Sequence, residues 1–256
     1  MISLYSIVFG LIVGSFLNCA IYRLETKQSF LKGRSFCPCC KHILSWQDLI
    51  PVFSFLLLGG KCRYCDKKIS VQYPLVEIAT ALLFFLISLL ALNINTLIYL
   101  MIIGCFLIII FVYDLKHFII PDKVVFPAIG IALAYNLYQL FTTNYPLSTV
   151  LNNLYSALGA AGFFLLIVLI SRGKWMGVGD IKLAFLMGFL LGFPYILVAL
   201  FFSFLIGAII GVGLILAKRK TMKSEVPFGP FLVIGTFIAL FLGEIIINWY
   251  WNLFII

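Results

Sequence analysis

Eight apolar runs dominate this sequence and restrict the fold more than any other feature. They cover residues 2–22, 74–92, 96–113, 124–141, 151–171, 180–194, 195–217 and 229–249. About 20 apolar residues span a bilayer as a helix, and no long alternating pattern of apolar and polar residues is present. Only 11% of the residues are charged, against about 25% in soluble domains. The sequence therefore predicts an all-α polytopic membrane protein with about eight transmembrane helices and excludes a soluble enzyme.

Lysine and arginine are segregated among the loops of this eight-helix arrangement. Nine of the eighteen lie in the loop 23–73. The others are Lys116, Lys123, Arg172, Lys174, Lys182, Lys218, Arg219, Lys220 and Lys223. With eight spans all of them face one side, while the opposite connections at 93–95, 142–150 and 192–194 contain none. Because cytoplasmic loops carry the excess of Lys and Arg, the pattern predicts that the basic loops are cytoplasmic.

The first run is expected to remain as a membrane anchor with its N-terminus outside. No basic residue precedes it, no small-residue cleavage site follows it, and Arg23 comes after it. The predicted organisation is a first transmembrane helix over 1–22, a cytoplasmic loop domain over 23–73 and a seven-helix membrane domain over 74–256. The basic loops account for the net charge of +9, and their positive charge is expected to attract them to anionic membrane lipids. No nucleic acid is therefore expected as a partner.

Four cysteines in the loop form two C-x2-C steps. Cys37 and Cys40 make the first step, Cys62 and Cys65 make the second, and 21 residues separate the pairs. This spacing is typical of a zinc ribbon, in which four thiolates complete a closed, structural Zn²⁺ site. A reducing cytoplasm disfavours disulfides. The loop is therefore predicted to be a small zinc-ribbon-like domain.

Other interpretations of the cysteines stay open. The thiols can be redox-active or have no special role. Cys39 can take the place of Cys40 as a ligand, and His42 can replace a thiol as ligand. Cys19 and Cys105 fall within apolar runs and are expected to be small core residues.

The nine acidic residues divide by position. Those expected to be solvated in loops are Glu25, Asp48, Asp66 and Glu225, and Glu244 lies near the outer end of the last run. Glu77 lies one turn into the second run. A functional intramembrane acid and an acid stabilised by the helix dipole are equally open interpretations of Glu77.

Asp114 and Asp180 form the most informative pair. Asp114 ends the third run, and Asp180 begins the sixth after the turn 177–179, both at the predicted cytoplasmic face. Two close carboxylates share one proton, so that one activates water while the other donates to a peptide carbonyl. The helix dipoles favour Asp180 as the base and Asp114 as the proton carrier, and the flanking glycines are expected to let a substrate backbone approach. Asp122 is the rival partner, and two unrelated interfacial acids are the alternative.

Six segments spread over nearly the whole chain carry a joint pattern. They are GSFLNCAIYRL (14–24), CPCC (37–40), GGKCRYCDKKISVQYPLVE (59–77), DLKHFIIPD (114–122), GVGDIKL (177–183) and VPFGPFLVIG (226–235). Together and in this order they resemble the bacterial type IV prepilin leader peptidases, a family of GxGD-type aspartyl membrane proteases.

The resemblance implies that Asp114 and Asp180 are catalytic. The implied substrates are prepilins and pseudopilins, whose short basic leader is cut at the cytoplasmic face of the bacterial cytoplasmic membrane, after a glycine and before an apolar helix. Members with the cysteine loop usually also methylate the new N-terminal residue with S-adenosylmethionine, so both activities are expected. Asn18, Arg23 and Glu77 lie in family motifs near this loop and are candidates for methyl transfer.

Competing functions remain to be weighed. An ion-coupled transporter with Asp114, Asp180 and Glu77 as a cation path is one, but transporter sites usually lie near the midplane rather than at one interface. A lipid-modifying enzyme is another. If the chain is a leader peptidase, the basic leader is expected to be recognised by lipid or by acids such as Asp48 and Asp66.

Overall fold

The structure is a computed structural model that describes residues 2–29, 33–90, 93–142, 146–217 and 226–254. These residues form nine α-helices and a short 3-10 turn at Trp46–Leu49. The helices are α1 (Ile2–Glu25), α2 (Phe53–Leu57), α3 (Gln72–Leu90), α4 (Ile94–His117), α5 (Asp122–Thr142), α6 (Leu147–Ser171), α7 (Val178–Leu191), α8 (Tyr195–Leu216) and α9 (Gly229–Phe254). The charged residues that lie outside the described residues are Lys32, Lys218, Arg219, Lys220, Lys223 and Glu225.

Each of the eight predicted apolar runs corresponds to a helix, which confirms the all-α membrane fold. Seven of these helices are long and apolar enough to cross a bilayer. The exception is α7, whose 14 residues extend only about 21 Å, against a hydrocarbon core of about 30 Å. Gly177 caps its start and Gly192 its end, with Gly192 at a positive φ of 68°. The glycine-rich flanks therefore limit α7 to four turns.

The chain divides into two compact units, Met1–Ile109 and Ile110–Ile256. In the first unit α1 packs along α3. A Cβ at Gly10 would lie 2.6 Å from Ala81 Cα, and one at Gly14 would lie 2.7 Å from Glu77 Cα. Small residues let the two backbones approach closely, as at many interfaces between membrane helices.

In the second unit α7 is the central helix and contacts α5, α6, α8 and α9. Leu183, Ala184, Leu186 and Met187 are completely buried along it. A side chain at Gly188 would collide with the α6 backbone at Ala157. The short helix α7 is thus surrounded by longer ones, and its first turn carries Asp180.

Candidate active site and metal centre

Asp180 is held in place by the turn that starts α7. It is the third residue of the helix, and its Oδ2 accepts a hydrogen bond of 3.2 Å from the N–H of the N-cap residue Gly177. The Asp180 N–H donates in return to the Gly177 carbonyl, also at 3.2 Å. This is half of a capping box, in which an acid at the third position satisfies an orphan N–H of the helix start. The carboxylate is buried and has a defined direction.

Asp114 lies one turn before the end of α4. Phe118 ends the helix in the left-handed region, with a φ of 58°, and its N–H donates to the Asp114 carbonyl at 2.9 Å. The buried Asp114 carboxylate accepts a hydrogen bond from the backbone N–H of Gly229, where α9 begins. A Cβ at Gly229 would lie 2.5 Å from Asp114 Oδ2, so any side chain there would push against the carboxylate.

Ile120 joins the two aspartate segments. Its Cβ lies 3.0 Å from the position that a Cβ on Gly179 would take, and its Cδ1 lies 3.3 Å from that of Gly229. The loop after α4 therefore packs against the starts of both α7 and α9. Asp114 is close enough for its charge to act on Asp180, so the structure brings the two predicted aspartates together. Their catalytic roles stay predictions.

Asp122, the alternative acid for the catalytic pair, lies at the surface. Its side chain is 59% exposed and forms an ion pair with Lys182, with 2.6 Å between Nζ and Oδ1. The Lys182 ammonium also lies 5.0 Å from the centre of the Phe126 ring. This pair links α5 to α7 at the surface, and it leaves Asp114 as the acid that faces Asp180.

The sequence did not predict the contacts that two glycines make in this site. Gly229 was part of a recognised motif, but its N–H contact with Asp114 was not predicted. Gly179 was expected to leave room for a substrate backbone, and the structure instead fills that space with Ile120. Because Asp114 contacts the positive N-terminal end of α9 as well as ending α4, the predicted dipole difference between the two aspartates is smaller than expected.

The four predicted cysteines form one cluster. The Sγ atoms of Cys37, Cys40, Cys62 and Cys65 all lie within 4.8 Å of one another, and those of Cys37 and Cys65 are 4.0 Å apart. Tetrahedral zinc with Zn–S bonds of about 2.3 Å needs sulfur atoms about 3.8 Å apart. The donor set and its spacing fit a zinc ion, whereas Cys39 is exposed and stands outside this cluster.

The two C-x2-C steps fold as near-identical knuckles. Cys37 N–H donates to His42 O and Lys41 N–H to Cys37 O, each at 2.9 Å. Twenty-five residues later, Cys62 and Asp66 repeat both bonds at 2.9 and 3.0 Å. Both turn residues that follow the second cysteines, Lys41 and Asp66, have positive φ angles of 60° and 53°. Each knuckle is closed by its own backbone.

The thiols of Cys37 and Cys65 differ in pKa. Burial opposes the Cys37 thiolate, but N–H groups of Cys40 and Cys39 outweigh it and lower the Cys37 pKa to about 7. The Lys67 N–H favours the Cys65 thiolate, yet burial and the neighbouring thiols raise the Cys65 pKa to about 12. A thiolate therefore forms more readily at Cys37 than at Cys65, and a bound cation would favour the thiolate form of both.

Asp48 is buried between the knuckles rather than solvated as expected. Its carboxylate accepts hydrogen bonds from Ser45 N at 3.1 Å, Ser45 Oγ at 2.8 Å, Arg63 Nε at 2.8 Å and Tyr64 Oη at 3.0 Å. Burial opposes its charge, but the bonds from Ser45 and Arg63 outweigh this and lower the pKa of Asp48. Asp48 therefore ties the 3-10 turn that carries it to Arg63 and Tyr64 of the second knuckle.

The three methyl-transfer candidates are all buried in the first unit. Asn18 Nδ2 donates to Tyr73 O at 2.9 Å, and the Arg23 guanidinium donates to Gly33 O at 2.7 Å. Glu77 Oε2 accepts the Val52 N–H at 2.7 Å. The structure places them where α1, α3 and the loop meet.

Two family profiles match this chain, and their matches fall in both compact units. The profile described as "Bacterial Peptidase A24 N-terminal domain" matches residues 8–91. The profile described as "Type IV leader peptidase family" matches residues 101–212, which include both aspartates. No solved structure gave a significant match.

Curated relatives that carry the name "Prepilin leader peptidase/N-methyltransferase" include proteins from three genera. The protein of Bacillus subtilis (strain 168) is 36% identical, and the match covers 95% of this chain and 95% of the relative. Those of Legionella pneumophila and Aeromonas hydrophila are 34% and 32% identical, and the matches cover 95% of this chain and 92% and 91% of the relatives. This chain therefore belongs to the type IV leader peptidase family.

Proposed function

We propose that this protein is a membrane enzyme that cleaves the leader peptide from prepilins and N-methylates the processed chain. Family membership and the names of its relatives support both activities. The observation that carries the peptidase is the buried pair of Asp114 and Asp180, whose charges interact and whose carboxylates each accept a glycine N–H. Nothing in the comparisons favours the transporter alternative.

In the proposed hydrolysis the two aspartates act on one water molecule. Asp180 takes a proton from the water, whose oxygen attacks the carbonyl carbon of the scissile peptide, while Asp114 donates its proton to the carbonyl oxygen. The tetrahedral intermediate then collapses. Asp180 passes its proton to the leaving nitrogen, the C–N bond breaks, and Asp114 recovers a proton from the hydroxyl group. Both carboxyl groups end the cycle as they began it.

Gly177 and Gly229 are the proposed positioning residues for this chemistry. Each donates its N–H to one of the aspartates. Backbone donors cost no side-chain entropy and do not rearrange during the reaction, which is the property that preorganised sites exploit.

The cysteine cluster is the proposed structural zinc site. Cys37, Cys40, Cys62 and Cys65 would occupy all four positions of a tetrahedral ion, which leaves no open position for substrate or water. Zinc bound there would stabilise a loop whose apolar side chains, such as Trp46, Phe53 and Leu57, are mostly exposed.

We further propose a location in the bacterial cytoplasmic membrane with the aspartates at the cytoplasmic face. The distribution of Lys and Arg supports this orientation, because every loop predicted to lie on that side is basic. The proposed organisation is a first helix over 1–22, a zinc loop domain over 23–73 and a membrane domain over 74–256.

Cleavage of a prepilin by the detergent-purified protein tests the peptidase. We expect Asp114→Asn and Asp180→Asn each to reduce the cleavage rate at least about a thousandfold, because general acid and base steps contribute such factors. Asp122→Asn is the matched control and should cleave at nearly the parental rate. Parental cleavage by both dyad variants would refute the mechanism. Transfer of label from S-adenosylmethionine to processed pilin tests the second activity.

A further inference from the structure

The loop between α1 and α3 contains an apolar segment of its own. Residues 49–60, LIPVFSFLLLGG, lie between Asp48 and Lys61 and include no charged residue. Ser54 is the only one of them with a polar side chain. A run of about 10 to 14 apolar residues is too short to span a bilayer and is typical of a buried core helix or of a re-entrant or interfacial segment.

The exposure of this segment excludes a core helix. It forms the short helix α2, and every residue of α2 is at least partly exposed. Phe53, Leu56 and Leu57 are 63%, 66% and 85% exposed. A contiguous apolar surface on so few residues marks a site of contact with a protein or with a membrane.

Glu77 fixes the depth at which α2 begins. Its Oε2 accepts the Val52 N–H at 2.7 Å, and Ser15 on α1 donates its hydroxyl to the same carboxylate. Both α1 and α3 are long and apolar enough to cross a bilayer. At a rise of about 1.5 Å per residue, Ser15 lies roughly 12 Å along α1 from Arg23, the nearest charged residue of that helix. The start of α2 is therefore level with the apolar parts of two membrane-spanning helices.

The residues before Val52 also lie beside the apolar part of α1. Leu49 and Pro51 belong to the wall of a cavity that follows α1 from Arg23 as far as Ile12. Ile12 lies about 17 Å along the helix from Arg23. The loop thus accompanies α1 well inside its apolar part and not only at its charged end.

Hydrogen bonds from within the protein satisfy the backbone of the segment, as insertion into a membrane requires. Pro51 has no N–H to satisfy. The N–H groups that donate to carbonyl groups of the segment, at 2.6–3.1 Å, are those of Phe53, Ser54, Leu56 and Leu58. The Val52 N–H instead takes its acceptor from α3, which is Glu77. Glu77 therefore acts as a positioning residue for α2.

Both ends of the segment carry residues that are typical of a membrane interface. Trp46, which is 72% exposed, lies before it, and Lys61 follows it. Tryptophan and lysine are common where a membrane segment meets the lipid headgroups. This flanking pattern favours lipid over a protein partner as the cover of the apolar surface.

We propose that residues 49–58 are a re-entrant segment, which enters the membrane from the side of the loop 23–73. Lipid acyl chains cover Phe53, Leu56 and Leu57 in this arrangement. Because the segment lies between the two C-x2-C steps of the sequence, its insertion holds both knuckles at the membrane surface. The inference concerns a lipid-binding surface and does not depend on the proposed enzymatic activities.

Photocrosslinking of the full-length protein in phospholipid vesicles tests the insertion. With p-benzoylphenylalanine in place of Leu57, irradiation should join the side chain to carbon atoms of lipid acyl chains, and mass spectrometry identifies these adducts. The matched control carries the same amino acid in place of Lys67, an exposed residue of the second knuckle. The control should give at most about a tenth of the acyl-chain adduct, because a charged residue avoids the hydrocarbon region.

The identity of the adduct decides between lipid and protein as the cover of α2. Adducts with lipid headgroups alone would place the segment on the membrane surface and refute re-entry. Adducts with another part of the chain, or with a second copy of it, would show that protein covers α2 and would overturn the proposal.

Substitutions of Glu77 test the positioning of the segment. Glu77→Ala removes the acceptor of the Val52 N–H, so the yield of acyl-chain adduct from position 57 should fall at least about fivefold, as for loss of one buried hydrogen bond. Glu77→Gln keeps an acceptor and should restore most of the yield. Equal yields from Glu77→Ala, Glu77→Gln and the parent would overturn the role of Glu77.

Hydroxyl-radical footprinting in lipid nanodiscs is a second measurement, and it needs no substitution. Phe53 is more exposed than Tyr64, at 63% against 41%, and both aromatic rings react with hydroxyl radicals in water. If lipid covers α2, Phe53 should be oxidised at least about tenfold more slowly than Tyr64, because the bilayer core contains no water. Oxidation of Phe53 as fast as that of Tyr64 would overturn the proposal, even where a crosslinking variant fails to fold.

Discussion

The cysteine cluster and the aspartate pair are both built from separated chain segments, yet by different means. The cysteine cluster joins two knuckles that are each closed by their own backbone hydrogen bonds, 25 residues apart. The aspartate pair joins the end of α4 to the starts of α7 and α9, so its residues span the chain from Asp114 to Gly229. The first site depends on local turns, and the second depends on helix packing.

This difference determines which structural changes each site can accommodate. Local knuckles can form wherever the turn sequence permits, and the proposed zinc ion would add to their stability. The aspartates have no such local support beyond the first turn of α7. Their approach depends on close contacts such as those of Ile120 with Gly179 and Gly229, where no additional methyl group fits without movement.

The largest expected effect comes from removing a zinc ligand. Cys40→Ser should abolish stoichiometric zinc, because a site that has lost one of four thiolates loses most of the free energy of about 10–16 kcal/mol that structural zinc sites provide. The loop should then become sensitive to limited proteolysis between residues 33 and 70. Metal analysis of purified protein and cleavage mapping measure both effects.

The same variant tests whether the two sites are independent. All dyad contacts lie within the second compact unit, so prepilin cleavage should fall less than about tenfold, a change of about 1.4 kcal/mol. Cys39→Ser is the matched control, because Cys39 is exposed and outside the cluster, and it should retain one zinc per chain. Loss of cleavage as complete as in Asp114→Asn would show that the two sites are coupled.

A smaller effect is expected from one methyl group beside the dyad. Gly229→Ala would place its Cβ 2.5 Å from Asp114 Oδ2, so the carboxylate or the start of α9 must shift. A misplacement of about 1 Å can cost on the order of a hundredfold, and we expect kcat for prepilin cleavage to fall about 10- to 100-fold. Zinc content should not change.

Gly211→Ala is the control for this substitution. Among the residues that the structure describes, no atom outside its own helix lies within 4 Å of the position of its Cβ, and alanine is the better helix former. Gly211→Ala should therefore cleave at the parental rate and be at least as stable. Equal activity of Gly229→Ala and Gly211→Ala would mean that Gly229 does not position Asp114 in the working enzyme.

Hydropathy and spacing predicted the features that depend on neighbouring residues. The eight apolar runs located eight helices, because a bilayer demands long apolar segments and their ends are marked by Gly, Pro and charge. The C-x2-C pairs predicted the cluster of four cysteines because a knuckle brings its own two cysteines together. Even so, α7 proved too short to span a membrane alone, because Gly177 and Gly192 limit it to 14 residues. The longer helices around it bury it in the second unit.

Contacts between distant segments were beyond the same reasoning. The sequence identified the two aspartates but not Gly229, whose N–H donates to Asp114. Gly229 lies 115 positions further along the chain, and it has no side chain whose chemistry could have indicated this contact. Glu77 was identified as an intramembrane acid, but its hydrogen bond with the Val52 N–H, 25 positions earlier in the chain, was not predicted. Asp48 was assigned to solvent because it lies in a polar loop, whereas four hydrogen bonds bury it.

The smallest expected effect concerns this last residue and local stability in the knuckles. Asp48→Asn removes the charge that Arg63 pairs with but keeps an acceptor for Ser45, so we expect the knuckles to lose roughly 1–2 kcal/mol at pH 7. Hydrogen exchange at the Cys37 and Cys62 amides, which are bonded within the knuckles, measures this local opening.

The pH dependence makes this prediction specific. Because the pKa of Asp48 is lower in the folded loop than in the unfolded chain, its stabilising effect is present above the unfolded pKa of about 3.9 and is lost as the pH falls through the folded value. The difference in protection between parent and Asp48→Asn should therefore be full at pH 7 and vanish in acid. Asp66→Asn is the control, since Asp66 is exposed and asparagine tolerates its left-handed φ of 53°. A difference that persists unchanged in acid would mean that Asp48 stabilises the second knuckle by shape rather than by charge.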